Sequence, residues 1–370
     1  MGKRIGIVID SLAGGGAEKV MLTLARALQQ QGHHPHLLVI EKFCTYDIPS
    51  DIPISFCFPK KEKFITSIWK LSSSVKRVRL WIKDVESQYG HFDSFISNLD
   101  KSNLLMVRAN VPRLFCVIHS LIGVELSRSK RLGLFNYLRL KKAKNALNNQ
   151  HIITVSDEIK HEIETLSWLK PKSLQRIYNP FDFADLYSSA QVKIADLPQE
   201  PYMVHVGRVV RAKRHDVLFK ALKLMEKPIK LVLLCANVKK AQKLAKRLDV
   251  EDRIICVGFQ QNPYVWMKHA KLLVLSSDYE GFGMVLVESL ALNTPVVSTA
   301  CYGPKEILTD DLEQWLVPTD NPELLAQALD KNLSQTHHQV DNASILKELD
   351  GNKIAQHYIE VLDQRAPSIA

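Results

Sequence analysis

What this chain lacks narrows it first. Its six cysteines (44, 57, 116, 235, 256 and 301) are scattered over 370 residues, and none stands at Cys-x-x-Cys spacing. A disulfide scaffold or zinc site is therefore not expected, and a reducing compartment is. No apolar run approaches the roughly 20 residues that span a bilayer. The opening stretch Met1–Asp10 is too short for a secretion signal and reads as a buried strand. Myristoylation wants Ser or Thr at position 6, where Gly6 stands. No Asp-x-Asp pair occurs, so there is no ready carboxylate clamp for a divalent cation. Repeats and low-complexity tracts are absent as well. These absences predict a cytoplasmic protein, peripheral on the inner face of the cell membrane where it meets one.

What is present suits an α/β protein of two domains. Apolar residues make up 46% of a chain too long for one typical core. The net charge of +10 is uneven: residues 1–180 hold 27 Lys+Arg against 15 Asp+Glu, and residues 181–370 hold 22 against 24. An anionic partner suits the first half, whether phospholipid surface, phosphorylated lipid or nucleic acid. Short β-type runs alternate with amphipathic helical stretches, the pattern of a parallel sheet covered by helices. In the first half strands are predicted at 4–9, 36–41, 93–97, 114–118 and 151–155, and helices at 17–31, 64–86 and 131–147. The pattern breaks near Tyr178–Asp182, and a polar stretch runs to Pro201. A second series starts at Tyr202, with further strands near 230–235, 253–257, 272–276 and 295–298. The expected layout is a Rossmann-like domain over 1–180, a second over 181–350, and a helix within 351–370 packing back on the first. Doubly wound domains bind ligands at the carboxyl ends of their strands, so a cleft between two of them is where the motifs should fall.

Three constellations lie there. Directly after the first strand comes Asp10-Ser11-Leu12-Ala13-Gly14-Gly15-Gly16-Ala17-Glu18. Its glycines open a helix, where backbone and helix N-terminus favour an anion. The spacing is not Gly-x-Gly-x-x-Gly, and a plain tight turn is the alternative. Gly207-Arg208 and Lys213 follow the first strand of the second half. Two fixed cations there can clamp a diphosphate and offset charge building on it, unless the turn is simply solvated. The third, Ser276 to Glu288, leaves a buried strand through Glu280-Gly281-Phe282-Gly283 and enters an apolar helix near Met284. Free N–H groups at that helix start suit a phosphate. Glu288, among Val287, Leu290 and Ala291, needs hydrogen-bonding partners to offset burial, and the vicinal hydroxyls of a ribose would supply them.

Together these residues resemble the family 4 glycosyltransferases of the two-Rossmann GT-B fold. The resemblance rests on Gly207-Arg208-x4-Lys213, the Glu280 and Glu288 pair, and Asn293-Thr294-Pro295-Val296-Val297. Gly15-Gly16-Ala17-Glu18, Val155-Ser156, Tyr178-Asn179-Pro180 and Gly303-Pro304-Lys305-Glu306-Ile307 extend it in order over nearly the whole chain. It implies two doubly wound domains facing across a cleft and transfer with retention of anomeric configuration. Arg208 and Lys213 would hold the donor diphosphate, and Glu288 the ribose. Glu280, with the backbone of Gly281, Phe282, Gly283, Met284 and Val285, would contact the transferred sugar and the phosphates. Gly15 and Gly16 would approach the diphosphate from the other domain. His119, after the strand Leu114–Ile118, matches a histidine that the family places by sugar and acceptor; by itself it reads as an ordinary satisfied polar group. No cofactor and no metal are implied, the cations taking the place of one. Cys235-Ala236-Asn237-Val238 departs from the family's usual Gly-Asp-Gly-like turn, and Asn293 replaces a usual glycine.

Two basic segments bear on the acceptor. In 60–83, Phe64, Ile68, Leu71, Val75, Val78 and Ile82 recur at helical spacing among lysines and arginines. In 128–144, seven cations (Arg128, Lys130, Arg131, Arg139, Lys141, Lys142, Lys144) surround Leu134, Phe135 and Leu138. Such helices either lie on an anionic bilayer or pack their apolar stripes on the first sheet. The expected activity is transfer of a hexose or N-acetylhexosamine from a nucleotide sugar, UDP-linked before GDP-linked. The expected acceptor is a membrane-linked glycan: lipopolysaccharide, capsule or a polyprenyl-diphosphate oligosaccharide. Nucleic acid is not an expected partner, since the first half lacks the aromatic-rich strands of common single-strand binders. A sugar-nucleotide epimerase on the same fold and a non-enzymatic basic binding protein are the alternatives. The first needs acid–base residues that have no place here, and the second leaves Glu280 and Glu288 idle.

Overall fold

The structure is a computed structural model and describes residues 2–13, 15–44, 50–62, 65–67, 69–335 and 343–364. The chain forms two compact units: Met1–Phe181 with Leu349–Ala370, and Asp182–Glu348.

In the first unit the strands are β1 (Arg4–Ile9), β2 (His34–Glu41), β3 (Ile54–Phe58), β4 (Ser94–Asn98), β5 (Leu114–Ile118), β6 (His151–Thr154) and β7 (Ser173–Arg176). They make one sheet in the order β3-β2-β1-β4-β5-β6-β7, parallel throughout. Helices α1 (Gly16–Gln30), α2 (Leu71–Tyr89), α3 (Asp100–Arg108), α4 (Ile122–Arg131), α5 (Leu134–Asn145) and α6 (Asp157–Thr165) connect them. Runs such as Ile7-Val8-Ile9 and Leu37-Leu38-Val39-Ile40 are wholly buried, as strands covered on both faces require. Two edge strands add to those predicted: β3, which is mostly apolar, and β7, whose Ser173-Leu174-Gln175-Arg176 is half-buried and mostly polar.

Two predicted helices are corrected. The stretch 64–86 becomes α2 from Leu71 only, because the Ser67 carbonyl accepts from the N–H groups of Lys70 and Leu71 in a preceding turn. Phe64 and Ile68 lie outside the described residues. The stretch 131–147 is two helices broken at Gly133, whose φ of +113° a side chain would not tolerate.

The second unit holds α7 (Phe183–Ser189), β8 (Tyr202–Val206), α8 (His215–Leu224), β9 (Lys230–Leu234), α9 (Val238–Arg247), β10 (Ile254–Cys256), α10 (Tyr264–His269) and β11 (Leu272–Leu275). It continues through α11 (Met284–Ala291), β12 (Val296–Thr299), α12 (Tyr302–Ile307), β13 (Leu316–Val317), α13 (Pro322–Ser334) and α14 (Ala343–Glu348). Its parallel sheet runs β10-β9-β8-β11-β12-β13. The polar stretch after Asp182 is part of this unit: Asp182 caps α7 through the Asp185 N–H at 2.9 Å, and Asn262 donates to the Ser189 carbonyl at 2.7 Å. Asn293 sits at φ +57°, so it serves as the left-handed residue that ends α11, with Thr294 N–H closing onto the Ser289 carbonyl.

The chain returns to the first unit where Phe181 exchanges backbone hydrogen bonds with Leu349 and Gly351. Helix α15 (Gly351–Gln364) then packs on α1, and Lys3 pairs with Asp363. In each sheet the strand order reverses once, between β1 and β4 and between β8 and β11. Those are the switch points beyond whose carboxyl ends a doubly wound sheet leaves a crevice.

Candidate active site

At the switch point of the second sheet, β8 exits into Gly207-Arg208 and β11 exits into Ser276–Glu280. The two loops are stitched together. Asp278 N–H donates to the Ala212 carbonyl at 2.8 Å, and the Ser276 hydroxyl to the Lys213 carbonyl at 2.8 Å. Arg214, held at φ +44°, bonds Asp216 at 3.1 Å, Asp278 at 2.8 Å, and Asp320. Those hydrogen bonds, Asp216 foremost, raise the Arg214 pKa above its ordinary value. This bracing sets the side chain of Lys213, whose Nζ lies 2.6 Å from Glu280 Oε1. The Ser277 hydroxyl donates to the same oxygen at 2.5 Å. Two residues 67 apart in sequence thus form one half-buried ion pair at the end of the sheet. Arg208 is exposed and makes no side-chain hydrogen bond or ion pair among the described residues, so the structure does not bring it onto Glu280.

Beneath this pair lie two buried imidazoles, His205 and His215, with ring centroids 4.7 Å apart. His205 Nδ1 donates to the Val274 carbonyl at 2.9 Å. Burial pushes its pKa down to about 4, and that of His215 to about 2, with the Lys213 charge adding to both. Both rings are neutral at ordinary pH.

The loop 281–283 leads into α11. Gly303 lies against it so closely that a Cβ there would stand 2.2 Å from the Phe282 carbonyl oxygen, which is why Gly303-Pro304 must open with glycine. Helix α11 has no side-chain cap, so the N–H groups of Met284 and Val285, in its first turn, lack intrahelical partners. Glu288 lies in the next turn, only 4% exposed, and the Tyr264 hydroxyl donates to its Oε1 at 3.2 Å. The Asn237 side chain, in place of the Gly-Asp-Gly-like turn, caps α9 through the Lys240 N–H at 3.0 Å.

In the first unit, Gly16 has open space where a Cβ would be, whereas a Cβ on Gly15 would meet Glu18 Oε2 at 2.3 Å. His119 follows β5, and its Nε2 lies 2.9 Å from Asn98 Oδ1 at the end of the adjacent β4. Burial lowers its pKa to about 4. Asp10, ending β1, accepts from the Ser102 N–H at 2.7 Å and hydroxyl at 2.5 Å, and burial raises its pKa to about 6. Asp10, Asn98 and His119 therefore share one switch point.

Comparisons with known proteins bear on the family and the fold. The family model described as Glycosyltransferase Family 4 matches residues 14–185, and the one described as Glycosyl transferases group 1 matches residues 190–345. A relative from Campylobacter jejuni is 28% identical over 342 residues, covering 88% of this chain and 89% of its own. It is an N-acetylgalactosamine-N,N'-diacetylbacillosaminyl-diphospho-undecaprenol 4-alpha-N-acetylgalactosaminyltransferase. A second from that organism, an alpha-1,4-N-acetyl-D-galactosaminyltransferase acting on GalNAc-alpha-(1->4)-GalNAc-alpha-(1->3)-diNAcBac-PP-undecaprenol, is 24% identical and covers 97% of this chain and 98% of its own. The chain belongs to the family 4 glycosyltransferases. Its fold is that of the crystal structure of Anabaena Alr3699/HepE in complex with UDP and glucose, with a TM-score of 0.75 over 98% of this chain and 100% of that one, at 19% identity.

Several residues that shape this glycosyltransferase's site carried no local signal. Arg214, Asp278, Tyr264 and Asn98 have partners across long sequence separations. Arg214 with Asp216 and Ser277 with Glu280 are near neighbours. The two basic segments also part company. In α2 the apolar stripe Val75, Val78, Ile82 is buried, and Arg77 and Arg79 donate to the backbone carbonyls of Cys57, Ala109 and Arg108. The α4–α5 hairpin is the opposite. Leu132, Leu134, Phe135 and Leu138 are 65, 68, 64 and 55% exposed, beside the exposed Arg128, Lys130, Arg131 and Arg139. Lys144, one of the seven cations counted there, is not on that surface. It is 2% exposed between Asp100 at 2.6 Å and Glu125 at 2.5 Å. Burial would lower its pKa, but the two carboxylates lift it to about 12. Among the described residues no helix is long and apolar enough to cross a membrane.

Proposed function

We propose that this glycosyltransferase moves a hexose or N-acetylhexosamine, with retention of configuration and without a metal, from a UDP-sugar to a membrane-linked glycan. The observation that carries the reading is the pairing of Lys213 with Glu280 at the second switch point, beside the open N-terminus of α11 and the buried Glu288. Lys213 and Glu280 neutralise each other as an ion pair. A donor diphosphate entering there draws Lys213 to its oxygens and frees the Glu280 carboxylate for a sugar hydroxyl. Arg208, exposed and uncommitted, supplies the second cation. The α11 N–H groups take a phosphate oxygen, and Glu288 takes the ribose hydroxyls while Tyr264 holds its other side.

As the bond from the anomeric carbon to the diphosphate oxygen breaks, the acceptor hydroxyl forms its new bond on the same face. Its proton passes to the leaving diphosphate. The protein's task is then positioning and offsetting the charge on the leaving group, which preorganised cations and N–H groups do well in a water-poor site. Support for the sugar and acceptor classes comes from the Campylobacter relatives, whose acceptors are undecaprenol-linked, and for the nucleotide from the UDP in the Anabaena structure. The α4–α5 surface is the part of the basic first unit that meets an anionic bilayer, where exposed leucines and phenylalanine enter the head-group boundary among cations.

The test is slow hydrolysis of a panel of sugar nucleotides by the purified protein, with and without excess EDTA. One UDP-sugar should be turned over at the same rate in both. Loss of turnover in EDTA with rescue by Mg²⁺ would refute the metal-free reading, and preference for a GDP-sugar would overturn the donor assignment.

A further inference from the structure

The end of β4 carries a residue that neither the family resemblance nor the donor site explains. Asn98 is fully buried, yet its side chain is polar and fully used. Its Nδ2 lies 3.3 Å from both the Val8 and the Ile96 carbonyl oxygens. Those are acceptors only, so the amide's NH₂ must face them and its Oδ1 must face His119. Turned the other way, Oδ1 would stand against two carbonyl oxygens inside the sheet. Oδ1 can only accept, so His119 Nε2, at 2.9 Å, must carry a proton.

We infer that Asn98 is a positioning residue that holds His119 in its Nε2–H tautomer, so that the imidazole presents a bare Nδ1 to the substrate as a hydrogen-bond acceptor. The groups around the ring agree: burial, with Lys144 adding to it, disfavours the imidazolium and outweighs Glu125, which favours it, so His119 is neutral. Nδ1 has no hydrogen-bond partner among the described residues. This rests on the reading of His119 as a substrate contact, and it narrows that contact. An ionised phosphate oxygen cannot donate to a bare ring nitrogen, and their lone pairs repel. What His119 accepts from is a hydroxyl or an amide N–H, which belongs to the sugar or the acceptor and not to the diphosphate.

The experiment uses the full chain labelled with ¹⁵N-histidine, its His119 signals assigned by their loss in His119→Asn. The wild type at pH 7 should show the Nε2–H pattern, and Asn98→Ala should show a mixture of tautomers. Circular dichroism and UDP binding serve as controls for folding. An Nδ1–H or doubly protonated His119 in the wild type overturns the proposal without any variant having to fold. In kinetics with the donor found by the panel, Asn98→Ala should lose about tenfold in kcat/KM, with UDP affinity unchanged. His119→Asn, whose amide oxygen falls near the Nδ1 position, should retain more activity than His119→Gln, which mimics Nε2. A changed tautomer with unchanged kinetics removes the positioning role. Unchanged kinetics in His119→Ala instead removes the substrate contact beneath it.

Discussion

Glu288→Gln is the substitution on which the donor assignment turns. Glu288 is almost wholly buried, and its Oε1 already accepts from Tyr264 at 3.2 Å. The glutamine keeps the shape and the hydrogen bond from Tyr264, but it replaces one carboxylate oxygen by an NH₂ that cannot accept. A hydrogen bond to a charged group contributes about 1.5–3 kcal/mol, against roughly 0.5–1.5 kcal/mol for a neutral one. Losing the charge under two ribose hydroxyls, with one acceptor gone, should therefore weaken UDP binding by about 2–3 kcal/mol. That is a factor of roughly 30 to 150 in Kd. Affinity alone would not identify the ribose, so calorimetry should compare UDP with 2′,3′-dideoxy-UDP. The wild type should prefer UDP by a similar factor, and Glu288→Gln should bind both alike. A variant that loses affinity but keeps the full preference for UDP would refute the ribose contact and leave Glu288 a structural acid. Tyr264→Phe, crossed with Glu288→Gln, reports whether the tyrosine acts through the carboxylate, since coupled neighbours are non-additive.

The membrane surface and the buried imidazoles offer further checks. Replacing Leu134, Phe135 and Leu138 by serine should weaken binding to anionic vesicles by several kcal/mol, since a fully buried apolar side chain contributes about 1.5–3 kcal/mol. Each of Arg128, Lys130, Arg131 and Arg139 adds about 1 kcal/mol near an anionic surface, and that part should vanish at high salt or on neutral vesicles. Equal binding by the serine variant in a flotation assay would remove the hairpin as the docking surface. Protein stability should also fall with pH. The folded-state pKa of His215 is depressed to about 2, so below about 6.5 the unfolded chain binds a proton that the folded one refuses. That costs up to about 1.4 kcal/mol per pH unit below 6.5. Asp10, raised to about 6, works the other way as pH falls from there toward 4, so the total slope is a difference. Urea titrations of His215→Phe between pH 6.5 and 5 isolate the histidine: its slope should be shallower by about that amount, and an unchanged slope would contradict burial of a neutral ring.

The sequence by itself determined the two series of parallel strands, the loops at their carboxyl ends, and the residues that stand on them. Those features are local. A buried strand is a short apolar run, a strand-to-helix turn needs glycines, and Asn293 reads as a helix stop because its backbone tolerates a positive φ. Edge strand β7 was less legible, since a half-exposed and mostly polar strand lacks the apolar signal. Only the tertiary structure decided what each polar residue faces. Lys213 meets Glu280, Tyr264 meets Glu288 and Asn98 meets His119 because parallel strands align their ends, whatever the length of chain between them. The same holds for the two basic segments. Their compositions are alike, but α2 lies on the sheet and buries its stripe, while α5 packs through Ala143 and Ala146 and leaves Leu134, Phe135 and Leu138 in water. Periodicity shows that a helix has an apolar face, and only packing decides whether the protein itself covers it.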